Sequence, residues 1–384
     1  MNRIPVPSQL EYVSPFQAVE VFQAAKKLEE EGRHVIHLEF GEPDLPTPAV
    51  IKDEAIRAIV DDRTRYTHSL GIPSLREVIA DYHQRKYGVT VDPGLVLVSN
   101  GTSVLMQIAM LSMLEPGDEV LLPDPTYACY ANFVRLAQGV PVSVPIREQD
   151  GFQLDPEAIR SRITPRTRAL LVCSPANPTG VVLRPEVLRA IAELGIPVIS
   201  DEIYHGLTYA GPEHSMQEFT DNCLVLNGFS KFFAMTGWRL GYMIFPREML
   251  PSLMKVHQNV MISATEFIQY AGQRAIQSAV EVCEQYKKEY DRRRLFMIQR
   301  LGEIGLPLAY EPVGAFYCFA NASRVGADSL ALAMEILQST GVAVTPGIDF
   351  GPGGEGYLRF SYANSMENIA EGMDRLGKFL QNKG

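Results

Sequence analysis

The chain has 384 residues, with 35 Lys and Arg against 45 Asp and Glu and a formal net charge of −10; at roughly 150 residues per domain that length suggests two or three domain-sized units. The acidic balance argues against nucleic acid or an anionic membrane surface as the main partner, since both reward a basic patch. A hydrophobic fraction of 46% and a charged fraction of 21% belong to an ordinary globular protein and not to a disordered one.

In chain order, GIPSLREVIADYHQRKYG (71–88) predicts an amphipathic helix with Leu75, Val78, Ile79 and Tyr82 on one face and Pro73 in its first turn. LVLVS (95–99) reads as a buried strand, followed by a helix from Thr102 to Leu114, strand EVLLP (119–123), a helix from Tyr127 to Gln138, and strand VPVSVPI (140–146). RALLVCSP (168–175) is a strand, and PEVLRAIAELG (185–195) a helix opened by Pro185 and closed by Gly195. PVISDEIY (197–204), CLVLNGFS (223–230) and RLGYMIF (239–245) are three further strands. Short apolar strands alternating with helices predict an α/β fold: a mostly parallel sheet covered on both faces. One long polar helix over about 266–302 then leads into LPLAYEPVGAFYCFAN (306–321), read as hairpin-like strands, helix SLALAMEILQSTG (329–341) and strand GYLRFSYA (356–363). That last part is α+β. The expected division is an N-terminal segment, 1–45, packing with a small domain; a large domain, 46–285; and the small α+β domain, 286–384.

Cys129, Cys173, Cys223, Cys283 and Cys318 are odd in number, widely spaced and without a C-x-x-C pair, which disfavours a disulfide framework or a zinc site and suits buried small hydrophobes. His34 and His37 fall on opposite faces of an extended HVIHLEF, so no shared metal is expected. The N-terminal MNRIPVPSQLEY has no apolar h-region, and the most apolar helix, VLMQIAMLSML, is far short of the roughly 20 residues of a membrane span; a cytoplasmic location is expected.

Four features lie where strands end, the place where ligands bind in parallel α/β sheets. S-N-G-T-S (99–103) opens a helix, whose free N–H groups suit a phosphate or are simply capped by Ser99 or Asn100. S-P-A-N-P-T-G (174–180) is a rigid turn offering Asn177. S-D-E-I-Y (200–204) puts Asp201 at the end of a very apolar strand, where a carboxylate is costly unless it meets a cation or a donor. N-G-F-S-K-F-F-A-M-T-G-W-R-L-G (227–241) surrounds Lys231 with Phe229, Phe232 and Phe233, a setting that would desolvate the amine and make it a nucleophile and base; Arg239 can clamp an anion bidentately. A phosphate cradle, a carboxylate, an imine-forming lysine and an arginine together match the needs of pyridoxal 5′-phosphate.

These motifs, with G-E-P-D-L-P-T-P (41–48), Y-T-H-S-L-G-I-P-S-L-R-E (66–77), L-E-P-G-D-E-V (114–120), P-T-Y (125–127), P-G-I-D-F-G (346–351) and Y-L-R-F-S-Y-A (357–363), make the chain resemble the class I, fold-type-I pyridoxal-phosphate aminotransferases, in particular the prokaryotic aspartate/alanine/aromatic-type subgroup. The resemblance implies a large domain with a mostly parallel seven-stranded sheet flanked by helices, and a smaller α+β domain. It implies Lys231 as the Schiff-base lysine, Asp201 as partner of the pyridine nitrogen, Tyr204 and Asn177 on the ring 3-oxygen, and Tyr127 stacked on the ring. Gly101, Thr102, Ser103, Ser230 and Arg239 match the phosphate site. Tyr66 matches a tyrosine reaching the neighbouring subunit's phosphate, which implies a homodimer with shared active sites. Arg359 matches the arginine for the substrate α-carboxylate, aided by Asn177 and the backbone of Gly41.

One position departs from the resemblance: several aspartate-preferring members of the subgroup carry Lys where Ser103 stands. With uncharged Tyr12, Phe16, Ile262 and Ile348 expected near the mouth, the reading is transamination by a ping-pong mechanism between a neutral L-amino acid (aliphatic, thioether or aromatic) and a 2-oxo acid such as 2-oxoglutarate or pyruvate. Arg65 and His68 beside Tyr66 are alternative sources of charge from the neighbouring subunit. The alternatives are an aspartate or broad-specificity aminotransferase, or a lyase or decarboxylase on the same scaffold; a DNA-reading regulator would need a basic module that the chain lacks.

Overall fold

A computed structural model describes residues 8–13, 15 and 17–383. Its centre is a seven-stranded sheet with spatial order Val96–Ser99, Gly241–Ile244, Cys223–Gly228, Val198–Asp201, Thr167–Cys173, Glu119–Asp124, Val140–Pro145. Only Gly241–Ile244 runs antiparallel to its neighbours; the remaining pairs are parallel. Val96–Ser99, Gly241–Ile244, Cys223–Gly228 and Val198–Asp201 are buried along their whole length, as continuous apolar runs in a doubly covered sheet should be. Helices supply the cover: Thr102–Met113 packs on Leu250–Val260 and Cys129–Leu136, and Glu266–Ser278 packs on Ala49–Val60 and Pro73–Tyr87.

A second, three-stranded antiparallel sheet joins Thr345–Pro346, Tyr357–Ser361 and Tyr317–Asn321. Beside it Ile36–His37 pairs in parallel with Val342–Ala343, so the N-terminal segment is stitched to the C-terminal third. The apolar core runs through both sheets as one cluster, with a small satellite of Phe152, Val181, Phe319 and Phe350.

Two sequence expectations change. The long polar helix is two, Glu266–Ser278 and Val280–Glu303, broken at Ala279, whose ψ of −5° leaves the helical range. The expected boundary at 285/286 falls inside the second of these, which packs both on its predecessor and on Tyr317–Asn321. The segment 306–321 is not a hairpin: only Tyr317–Asn321 is a strand, and it pairs with Tyr357–Ser361. Four cysteines are buried, Cys129 is partly exposed, and all five are free. Among the described residues no helix is long and apolar enough to cross a membrane, and no cluster of His, Cys, Asp or Glu is placed to hold a metal.

Candidate active site

The carboxyl ends of the parallel strands face the small sheet across a cavity of about 310 Å³. Its walls bring together Thr102, Ser103, Tyr127, Asn177, Asp201 and Tyr204, with Ser230, Lys231 and Arg239 from the lysine motif and Gly41 and Arg359 from the small-sheet side. Tyr66 is not among them; it is 81% exposed. Neither Tyr12 nor Ile262 lines the cavity; both are exposed, and Ile348 lines a neighbouring one. Phe16 lies outside the described residues.

Asp201 ends its strand with the side chain buried. One carboxylate oxygen accepts from the Tyr130 hydroxyl at 2.7 Å and the other from the Ile203 N–H at 3.1 Å. Burial pushes its acid up to about 6, against the opposing pull of those donors and of Lys231. Tyr204, three residues on, exchanges a hydrogen bond of 2.8 Å with the hydroxyl of Tyr317; burial holds its phenol well above the ordinary value.

Lys231 donates from Nζ to the Gly41 carbonyl at 2.6 Å. Its ammonium is pulled down to about 8, chiefly by desolvation; Glu42 opposes that, and Arg359 and Arg239 add to it. The aromatic setting differs from the one the sequence suggests. Nζ lies 5.9 Å from the Tyr204 ring and 5.8 Å from that of Phe316, whereas Phe229, Phe232 and Phe233 pack on one another. Rings brought from elsewhere in the chain, not the flanking phenylalanines, face the amine.

The start of helix Thr102–Met113 is uncapped by any side chain. Asn100 instead accepts from the Thr265 N–H, and Ser99 meets His257, so capping by these two residues, the alternative to an anion site, does not occur. Gly101 there has φ of +96°, and a Cβ on it would meet Arg239 Nη2 at 2.6 Å. The arginine therefore lies directly against bare helix-start backbone, in the arrangement that suits a phosphate. Arg239 itself sits at a left-handed φ of 56° and donates to the Thr236 carbonyl at 3.0 Å.

At the opposite wall Arg359 is 3% exposed. It donates to Asn177 Oδ1 at 2.9 Å, to Thr345 Oγ1 at 3.0 Å and to the Glu39 carbonyl; its Nε has no partner. The guanidinium lies 4.4 Å from the Tyr317 ring and 5.0 Å from that of Phe350. Among the described residues no carboxylate pairs with it. A buried cation left this way is costly, and a bound anion would offset that cost.

The residues missed from sequence are Tyr130, Tyr317, Thr345 and the Glu39 carbonyl. The first carried a weak signal, sitting three residues after Tyr127 at one helical turn; the others carried none.

A mostly parallel sheet with a lysine, a buried aspartate and an arginine at its carboxyl edge defines the fold-type-I aminotransferase class, and known proteins agree. Residues 33–376 match the family model for aminotransferase class I and II, and the chain belongs to that family and is an aminotransferase. It is 40% identical to a (5-formylfuran-3-yl)methyl phosphate transaminase of Methanocaldococcus jannaschii, over 95% of this chain and 96% of that one. It is 38% identical to an aspartate aminotransferase of Pyrococcus horikoshii, over 94% of each. The structure of aspartate aminotransferase from Thermus thermophilus with maleate superposes with a TM-score of 0.93 at 36% identity, covering 98% of this chain and all of the other. Class I aminotransferases work on amino and 2-oxo acids with pyridoxal phosphate.

Proposed function

We propose that this chain binds pyridoxal 5′-phosphate through Lys231 and exchanges the amino group of a neutral L-amino acid for the oxo group of a 2-oxo acid in a ping-pong cycle. The observation that carries the reading is one cavity holding a desolvated lysine, a buried aspartate and a buried arginine lacking an anion. The donor set fits the cofactor: the uncapped helix start with Arg239, Thr102, Ser103 and Ser230 suits its phosphate, Asp201 its ring nitrogen, Tyr204 and Asn177 its ring oxygen, and Tyr127 its face. When bound, that group supplies an electron sink for the bond to be broken at the amino acid's α-carbon.

Arg359 fixes the α-carboxylate with Asn177 and the Gly41 backbone, which sets the α-C–H bond before Lys231. An amine with its acidity brought to about 8 is about one-tenth free base at neutrality, far more than an ordinary lysine, so Lys231 both attaches the cofactor and carries the proton. Asp201 keeps a negative charge opposite the ring nitrogen. Exposed Tyr66 supports a homodimer in which each subunit completes the other's phosphate site. The small sheet, with the N-terminal segment stitched to it, forms the smaller domain over the larger one.

The described cavity walls hold three cations, Lys231, Arg239 and Arg359, and each already has a task. With Ser103 where a lysine would stand, no cation is left for a distal carboxylate, which favours a neutral donor. The aspartate-named relatives support the second reading, with Arg65 or His68 of a second copy supplying the charge. A panel of amino donors and oxo-acid acceptors, read by the cofactor's absorbance, tests the class. A preference for aspartate over every neutral donor of more than about tenfold in kcat/KM, ~1.4 kcal/mol, would replace the first reading by the second. Borohydride reduction followed by peptide mapping should label Lys231, and Lys231→Ala should lose at least about 10⁴-fold in turnover; a label on another lysine refutes the assignment.

A further inference from the structure

Tyr317 belongs to no motif quoted from the sequence, yet it touches both ends of the cavity. Its hydroxyl meets that of Tyr204 at 2.8 Å, and its ring lies under the Arg359 guanidinium at 4.4 Å. It is 1% exposed. A Cβ built on Gly41 would fall 1.8 Å from its oxygen, so the Gly41 backbone, whose carbonyl holds Lys231, is shaped around this phenol. We propose that Tyr317 is a positioning residue that links the carboxylate-binding arginine to the phenol of Tyr204; this rests on the function proposed above.

Two facing hydroxyls share one proton between them, so one donates and the other accepts. If Tyr204 is to donate into the cavity, toward the cofactor's ring oxygen, its own oxygen must accept from Tyr317. The Tyr317 hydroxyl has no other hydrogen-bond partner among the described residues, so its proton is available for that direction. The cation against its ring face favours the same direction: a neighbouring positive charge draws density from the phenol and makes it the better donor. Chains of such bonds strengthen one another in a buried site. The hydroxyl thus sharpens donation by Tyr204, and the ring supports the fork of Arg359. These are separable duties of one side chain.

They separate by substitution. Tyr317→Phe removes one oxygen and keeps the ring; Tyr317→Leu removes both. Wild-type and variant proteins loaded with pyridoxal phosphate are titrated with alkali while the visible absorbance is followed, and a non-reacting dicarboxylate, maleate, is titrated into each as the carboxylate probe. In Tyr317→Phe, weaker donation at the ring oxygen should leave the Lys231-linked nitrogen more basic, its proton dissociation constant falling at least about threefold, with maleate affinity held within about twofold. Tyr317→Leu should show the same basic shift and also lose about three- to thirtyfold in maleate affinity, the range of a buried cation–ring contact. A residue that merely filled space would alter heat stability in both variants and move neither the titration of the Phe variant nor the split between the two. A Tyr317→Phe protein that titrates as wild type overturns the proposal while the function stands. Wild-type protein showing no lysine-linked absorbance overturns both.

Discussion

The two ends of the cavity hold charge in opposite ways. At the Asp201 end a buried anion has a donor on each oxygen, the Tyr130 hydroxyl and the Ile203 N–H, and burial still pushes its acid up. At the Arg359 end a buried cation has neutral acceptors only, and one N–H faces none. The first end is nearly complete within the protein and awaits a cation; the second is incomplete by an anion. A ligand positive at one end and negative at the other, bridged by a lysine between them, relieves both. Each end therefore gains from the ligand what the fold withholds.

The sharpest way to break this symmetry is at the anionic end. Asp201→Asn keeps shape and removes charge, and should lower turnover by about 10³-fold, roughly 4 kcal/mol of barrier; a loss of tenfold or less in steady-state rates would reject the electron-sink role. The same substitution has a second reading without cofactor. Because the folded acid sits near 6 against an ordinary 3.8, the folded chain keeps a proton that the unfolded chain releases between about pH 4 and 6. Its contribution to stability is full below the lower value and is lost as pH rises through the upper one, on the order of 2–3 kcal/mol in all. The wild-type minus Asp201→Asn difference in Tm should fall across that window; a flat difference would show that Asp201 is not desolvated.

At the cationic end Arg359→Lys keeps the charge and removes the planar fork. It should lower kcat/KM by about 10²-fold, ~2.7 kcal/mol, mostly through KM, because the lost contact holds the α-carboxylate in ground and transition states alike. Equal loss in kcat with KM unchanged would move Arg359 from binding to chemistry. The smallest effect lies behind that end. Asp349 accepts from the Gln17 and Ala18 N–H groups, capping helix Gln17–Glu30, whose Ala18 lines the cavity. Asp349→Ala should cost about 1 kcal/mol of stability and raise KM several-fold; an unchanged Tm would show that the helix start needs no cap from so far away.

The same contrast explains what was legible. The Asp201 end is written in contiguous stretches because each parallel strand delivers its own carboxyl edge to the site: S-N-G-T-S, S-D-E-I-Y and the lysine motif could be read singly. Arg359 could be read too, from R-F-S-Y-A. Its surroundings could not. Tyr317 sits in a segment whose alternation looks like a hairpin, and its meaning lies in a hydroxyl 113 residues away. The setting of Lys231 is hidden for the same reason: its neighbours in sequence are not the rings that face its amine in space. The break at Ala279 was invisible because alanine is the best helix former and its neighbours continue the polar pattern.

The Glu39 carbonyl and the Arg359 guanidinium that donates to it stand 320 residues apart in the chain. Contacts of such separation form late, because the entropy of closing the intervening loop has to be overcome before any contact repays it. During synthesis the sheet that carries Asp201 and Lys231 can assemble while the strand bearing Arg359 is still unmade. The nascent protein passes through a stage with half a cavity, open on the side where the small sheet will sit, with the faces that pack on the last third of the chain still uncovered. Such a stage is where aggregation competes with folding, so the yield of soluble protein should depend on how quickly the last third of the chain follows the first.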